Sequence, residues 1–167
     1  IDPATESSVS VLPTSVVQGK FELSGRGLVI GIELARGLHL HVGDHVAIYS
    51  PKDFQRLKKA RDKKEAEEVG LPPDYEVRGI FDVGYYEFNN LFIVTSLENA
   101  QDLYDLGDSV HDLEVMLTDP YQAVSVKRQL EQTLGDEITA STWMEQNSTI
   151  LNALIVEKNV MFYLLFF

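Results

Sequence analysis

The sequence predicts an α+β fold whose last helix heads for a membrane, and three observations predict it. Short apolar runs of strand length, such as Leu28-Val29-Ile30 and Val46-Ala47-Ile48-Tyr49, are interspersed with segments of helical spacing. Residues 112–142 read strand-helix-strand, one α/β unit that cannot cover its own sheet and needs partner strands from elsewhere. Finally, Val160 to Phe167 is a run of eight apolar or aromatic residues, following Glu157-Lys158-Asn159. A bilayer crossing takes about 20 such residues, and no polar cap or Gly closes this run. With an opening of Ile1-Asp2-Pro3 and no initiating Met, the pattern reads as an extramembrane piece ending where its chain enters lipid. By itself the run fits equally well a C-terminal helix that packs its apolar end into a core.

A chain of 167 residues suffices for one domain or two small ones with a real core, and an apolar fraction of 44% is that of a globular protein. The net charge of −12 argues against a nucleic-acid partner, which calls for a basic face. The absence of cysteine excludes a disulfide scaffold and a thiolate zinc site.

In chain order, residues 1–19 form a loose lead-in that breaks at Gly19. Gly25 and Gly27 bracket Arg26 as a turn. Leu28–Ile30 is an all-apolar strand, and Gly31–Leu38 a short helix with Ile32, Leu34, Ala35 and Leu38 as contacts. Val42–His45 is a turn and Val46–Tyr49 the next strand, closed by Pro51. Tyr75–Val83 alternates as a strand with Tyr75, Val77, Phe81 and Val83 apolar, and Gly79 inside it marks a bulge. Gly84–Asn90 is an aromatic turn (Tyr85, Tyr86, Phe88), followed by a buried strand Leu91–Val94. Ser96 caps a helix from Leu97 to Leu106. Leu113–Leu117 is a strand. Asp119-Pro120 starts a helix with a cap and Pro at its first position, with Val124, Val126, Leu130 and Leu134 inward, and Gly135 stops it. Ile138–Thr142 is a strand, and from Trp143 one long helix runs to the end.

Residues 52–68 differ from the rest. Lys52, Arg56, Lys58, Lys59, Arg61, Lys63 and Lys64 are half of the basic residues in the protein, with Asp53, Asp62, Glu65, Glu67 and Glu68 gathered mostly late. A basic first part and an acidic last part oppose a helix dipole, so an exposed, projecting segment is expected, ended by Gly70 and Pro72-Pro73. On an acidic body such an arm can steer an acidic partner or touch anionic lipid. The alternative is a solvated helix face. The candidate partner-binding residues are Phe54 and Leu57 as apolar anchors, with Arg56, Lys58, Lys59, Arg61, Lys63 and Lys64 for steering.

No catalytic constellation is present, so a non-enzymatic role without cofactor or metal is expected. His39, His41 and His45 could converge as imidazole ligands, but only Asp44 stands near to complete a set, and surface histidines are the commoner reading. Gly19-Lys20 lacks the upstream Gly and the hydroxyl residue of a phosphate-binding loop. There is no Gly-x-Ser-x-Gly and no nucleophilic Cys.

Several stretches taken together carry a family resemblance: Ile1-Asp2-Pro3-Ala4, Leu28-Val29-Ile30-Gly31-Ile32-Glu33-Leu34-Ala35, Val42-Gly43-Asp44, Ser50-Pro51, Val77-Arg78-Gly79-Ile80-Phe81, Glu98-Asn99-Ala100-Gln101-Asp102-Leu103, and Trp143 ahead of Leu151 to Met161. Their order and spacing resemble the periplasmic domain of the lipoprotein-releasing ABC transporter permeases, the LolC/LolE group within the MacB/FtsX-like family. The resemblance covers nearly the whole chain. In that family the Glu-Lys-x-x-Met segment leads into the second membrane helix.

The resemblance implies a MacB-like periplasmic core. Residues 1–110 would be a Sabre-type mixed α/β lobe carrying the charged insertion 52–70. Residues 111–143 would be half of a Porter-type α/β lobe, and 144–167 the helix leading into a transmembrane segment. It implies a place on the periplasmic side of a bacterial inner membrane. The implied role is to release lipoproteins and pass them to a LolA-like carrier, relaying change driven by a cytoplasmic ATPase subunit. The implied partners are that subunit, a second permease subunit, the carrier and the lipoprotein. The family's carrier-binding hook would fall between Pro51 and Pro72, where this sequence has a long charged arm instead of a short Pro-containing loop. Alternatives are a MacB-like exporter or FtsX-like activator of cell-wall hydrolases, and a membrane-anchored metal-binding or enzymatic domain using the histidines.

Overall fold

Strand β4, Asp74–Phe81, organises the first part of the molecule. The computed structural model describes residues 1–50, 53–54, 72–135 and 138–166, in two units, Ile1–Glu114 and Val115–Phe167. In the first unit β2 (Gly27–Gly31) runs parallel to β4 along one edge. The other edge is shared: β3 (His45–Ala47) pairs antiparallel with Asp74–Glu76, and β1 (Val16–Gly19) with Gly79–Phe81. Antiparallel β5 (Ile93–Val94) adds to the far side of β2. Because β2 and β4 are parallel, the chain must cross over between them, and α2 (Ile32–Leu38) begins that crossover.

The bulge expected at Gly79 is present, and it sets the core. Pairing steps from Leu28 opposite Val77 to Val29 opposite Gly79, which leaves Arg78 as the extra residue. One extra residue inverts the alternation, so side chains beyond it change face. Tyr75, Val77 and Ile80 therefore lie with Leu28, Ile30 and Ala35. Phe81 falls on the opposite face with Leu12, Leu23, Val29 and Val94. Plain alternation would place Phe81 beside Tyr75 and Val77. Glycine is required at the crossing, because a Cβ on Gly79 would stand 2.5 Å from the Lys20 carbonyl oxygen. The displaced Arg78 side chain is held outward by Glu22 at 3.2 Å, Glu76 at 3.1 Å and the Ser24 carbonyl at 2.9 Å. With both faces covered, every residue of β2 is buried, as its uninterrupted apolar sequence predicts.

Helix α2 ends where His39 turns left-handed (φ 57°) and its N–H bonds the Ala35 and Arg36 carbonyls. The aromatic stretch is a helix, α3 (Tyr86–Leu91), rather than a turn. It is fixed by buried Asn89, whose Nδ2 donates to Asp82 at 2.7 Å and whose Oδ1 accepts from the Val83 N–H at 3.1 Å. The Gly31 backbone packs against Asn89 so closely that no Cβ fits between them. The expected buried strand Leu91–Val94 shrinks to β5; Val94 is buried, while Ile93 and the preceding Leu91 and Phe92 are exposed. Helix α4 (Leu97–Tyr104) has the expected cap, Ser96 Oγ accepting from the Asn99 N–H at 3.3 Å.

The loose lead-in contains order that periodicity hides: α1 (Glu6–Val9), a 3-10 turn (Leu12–Thr14) and β1. Strand β1 is hard to read because Val17 bulges out of its pairing, so its two valines do not share a role. The strand expected over Val46–Tyr49 is instead His45–Ala47.

In the second unit Asp119 accepts from the Tyr121 N–H at 3.0 Å, a 3-10 turn (Pro120–Gln122) leads into α5 (Ala123–Leu134), and Gly135 ends it. The strands expected at Leu113–Leu117 and Ile138–Thr142 do not form. Strands need backbone partners, and the described residues offer none there. Val124, Leu130 and Leu134, expected to lie inward, are exposed. The single helix expected from Trp143 is two, α6 (Trp143–Gln146) and α7 (Ser148–Phe166), interrupted where Asn147 Nδ2 bonds the Trp143 carbonyl at 2.8 Å.

Candidate functional site

The terminal helix is the strongest functional feature. Helix α7 has nineteen residues, and at about 1.5 Å per residue it spans roughly the thickness of a bilayer's hydrocarbon core. It is long and apolar enough to cross a membrane, and none of it is buried. A helix segment that is apolar all round and uncovered, as Val160–Phe166 is here, belongs in an apolar surrounding. Glu157, Lys158 and Asn159 are its polar break, after which Val160–Phe166 is apolar without interruption.

The lead-in to this helix is keyed into its unit at two points. Thr142 and Glu145 form a capping box: Thr142 Oγ1 accepts from the Glu145 N–H at 3.2 Å, and Glu145 Oε2 accepts from the Thr142 N–H at 2.8 Å. Lys127 on α5 donates to both Glu145 oxygens, at 2.8 and 2.9 Å. Separately, Trp143 Nε1 donates to the Pro120 carbonyl at 3.0 Å. The Glu145 hydrogen bond raises the Lys127 pKa above its ordinary value, and Lys127 together with the Thr142 N–H lowers that of Glu145. This arrangement fixes the lead-in of the terminal helix against α5 and the turn before it.

Of the partner-binding residues expected from the sequence, Phe54 is described. It follows a reciprocal start in which Ser50 and Asp53 bond each other's backbone and side-chain groups, Ser50 Oγ to Asp53 at 2.8 Å and the Asp53 N–H to Ser50 Oγ at 3.2 Å. Its ring is 62% exposed and lies 5.7 Å from that of Tyr49. Arg56, Leu57, Lys58, Lys59, Arg61, Lys63 and Lys64 lie outside the described residues.

The three histidines do not come together. His39 caps α2, His41 lies 3.6 Å from Asp44, and His45 Nδ1 is 2.8 Å from Asp74. Among the described residues no three ligating side chains converge. In the aromatic helix Phe88 turns inward, 5.8 Å from Phe81 and stacked on Phe92 at 4.2 Å, while Tyr85 and Tyr86 remain exposed. Tyr85 donates to Glu87 at 2.7 Å, and that bond raises its pKa.

The capping box was legible, since Thr142-x-x-Glu145 is the signature itself. The Lys127–Glu145 pair, eighteen residues apart, has no local signal.

No family model matches the chain. It is similar along nearly its whole length to lipoprotein-releasing system transmembrane proteins LolC. The protein of Neisseria meningitidis serogroup B is 26% identical over 170 residues, covering 98% of this chain and 38% of that protein. Those of two Xylella fastidiosa strains are 29% identical over 171 residues, covering 99% of this chain and 38% of each. The chain thus spans about 38% of the length of the curated relatives it matches, and over that span it is LolC-like.

Proposed function

We propose that this chain is the periplasmic domain of an ABC transporter permease that releases lipoproteins from the inner membrane. The observation that carries the reading is the whole-chain likeness to LolC proteins. The uncovered apolar helix α7 supports it. In this reading the first unit is a Sabre-type lobe and the segment around α5 half of a Porter-type lobe, whose exposed Val124, Leu130 and Leu134 await the other half. Glu157 and Lys158 stay at the membrane surface, because a charge at the bilayer centre costs about 2.5–3.5 kcal/mol or more. Helix α7 then carries movement from the membrane to the capping box, and through Lys127 and Trp143 into α5. The lipoprotein passes to a soluble LolA-like carrier, a cytoplasmic ATPase supplies the power, and a second permease subunit completes the complex. The basic residues Arg56, Lys58, Lys59, Arg61, Lys63 and Lys64, with Phe54 and Leu57, make the carrier contact.

The test is a full-length permease reconstituted with its ATPase in vesicles loaded with lipoprotein. ATP-dependent appearance of lipoprotein on added soluble carrier is the expected result. Reversing the charge of the six basic residues should weaken carrier binding, more at low than at moderate salt. Absence of ATP-dependent release defeats the reading. Unchanged carrier binding at both salt concentrations removes the arm from it.

A further inference from the structure

Asn147 joins a helix that is held to one that is free. On its N-terminal side α6 is fixed by the capping box, by Lys127 and by the Trp143 indole on the Pro120 carbonyl. On its C-terminal side Asn152 to Phe166 are all exposed. A force on α7 is therefore taken up at the join. Asn147 has φ −101° and ψ 19°, away from the helical values of about −63° and −42°. The hydrogen-bond ladder reaches it from both sides: its N–H donates to the Trp143 carbonyl, and its own carbonyl accepts from the Leu151 N–H, each at 3.1 Å. Its Nδ2 donates to the same Trp143 carbonyl at 2.8 Å. A side chain set into the ladder is one of the few causes of a helix break.

Nothing else at the join forces the break. No Gly or Pro lies between Thr142 and Phe166, and Gln146, Asn147, Ser148 and Thr149 are all exposed, so no packed neighbour holds the bend. The same backbone can run as one continuous helix, with the N–H groups of Ser148, Thr149 and Ile150 donating to the carbonyls of Met144, Glu145 and Gln146 in the usual pattern. Two opposed preferences decide between the forms. The helix ladder favours the straight one. The Asn147 amide favours the bent one, and Asn, Ser and Thr side chains all compete with a helix for its backbone. A preference set by one side-chain hydrogen bond leaves the other form populated as well.

We propose that Asn147 is a two-state joint. In the bent state, seen here, its amide holds the Trp143 carbonyl. In the straight state the amide turns to water, and α6 and α7 are one helix. Helix α7 thus changes direction while α6 keeps its contacts, and the change is registered at Trp143. The joint goes beyond the permease reading and does not rest on it. The protein has no cysteine, so nitroxides placed by Gln132→Cys on α5 and Asn159→Cys on α7 report the angle of the joint. They are read as a distance distribution by pulsed EPR on the 167-residue chain in detergent micelles. Two distances are expected, the bent one in excess. Asn147→Asp keeps the shape and loses the donor, and should move the ratio toward the straight state about fivefold, the effect of one neutral hydrogen bond. Asn147→Ala also adds helix propensity, about threefold, for about fifteenfold in all. In that variant the Ser148, Thr149 and Ile150 amides should exchange more slowly with heavy water. Asn152→Ala, the same chemical change further along α7, should leave the ratio unmoved. A single distance in the doubly labelled parent overturns the proposal, as does an unchanged ratio in Asn147→Ala. An equal shift by Asn152→Ala overturns it too, by assigning the effect to helix propensity at large.

Discussion

The two units bury their apolar residues very differently. In Ile1–Glu114 a sheet is covered on both faces, and Leu28, Val29, Ile30, Val77 and Phe81 are almost inaccessible to water. Among the described residues of Val115–Phe167 no apolar one is buried, and Thr142 is the one buried residue of any kind. Hydrophobic burial is the main favourable term in folding, so the first unit carries its own stability. The second rests on caps, ion pairs and helix hydrogen bonds, which individually contribute little. A region with so much exposed apolar side chain is suited to a covering of lipid or partner chain.

Substitutions can break or sharpen that contrast. Phe81→Ala in the first unit should cost about 3–5 kcal/mol, the usual loss for a buried phenylalanine, read as a lower midpoint in urea. Gly31→Ala should cost about 1–3 kcal/mol by forcing α3 away from β2, with chemical-shift changes centred on Asn89. A wild-type midpoint for either would mean that the double-sided core is not what holds the sheet.

In the second unit Thr142→Ala should cost about 1 kcal/mol, the typical loss of an N-cap. Faster amide exchange confined to α6 and the start of α7 is the signature to look for. The pH dependence of that region follows from two shifted groups. Glu145 is held below its ordinary value of 4.5, so its contribution is complete above that pH and fades as pH falls through the lowered value. Lys127 is held above 10.5, so its contribution is complete below that pH and fades as pH rises through the raised value. Protection of α6 should therefore be flat between those limits and fall beyond either one. A midpoint near pH 7 would mean another group controls it. Smallest of all, Leu130→Ala should change stability in water by no more than about 0.5 kcal/mol, as for an ordinary surface site. A loss comparable to that of Phe81→Ala would erase the contrast between the units.

The candidate site was legible to different degrees. The apolar terminus announced itself in composition, since Val160–Phe166 has no charge to solvate it. The Thr142-x-x-Glu145 box was there to be read, and it explains why α6 starts at Trp143. Nothing in the chain pointed to Lys127 as the partner of Glu145, because those residues are far apart in sequence. The histidines show the limit of proximity: closeness in sequence allowed a cluster, surface residues were the commoner reading, and three separate local partnerships keep them apart.

The sequence by itself determined the pieces whose causes lie within one turn or strand. These are the all-apolar β2, the cap at Ser96, the Asp119-Pro120 start, the Gly135 stop and the exposed hydrophobicity of the last helix. Caps, turns and periodicity act over three or four residues, so a linear reading reaches them. Only the tertiary structure decided that β1 and β3 share one edge of β4, that the bulge at Arg78 sends Phe81 to the opposite face, and that residues 113–117 and 138–142 stay out of any sheet. Pairing and burial depend on which distant backbone and side chains arrive alongside, and a strand without a neighbour has no place for its hydrogen bonds.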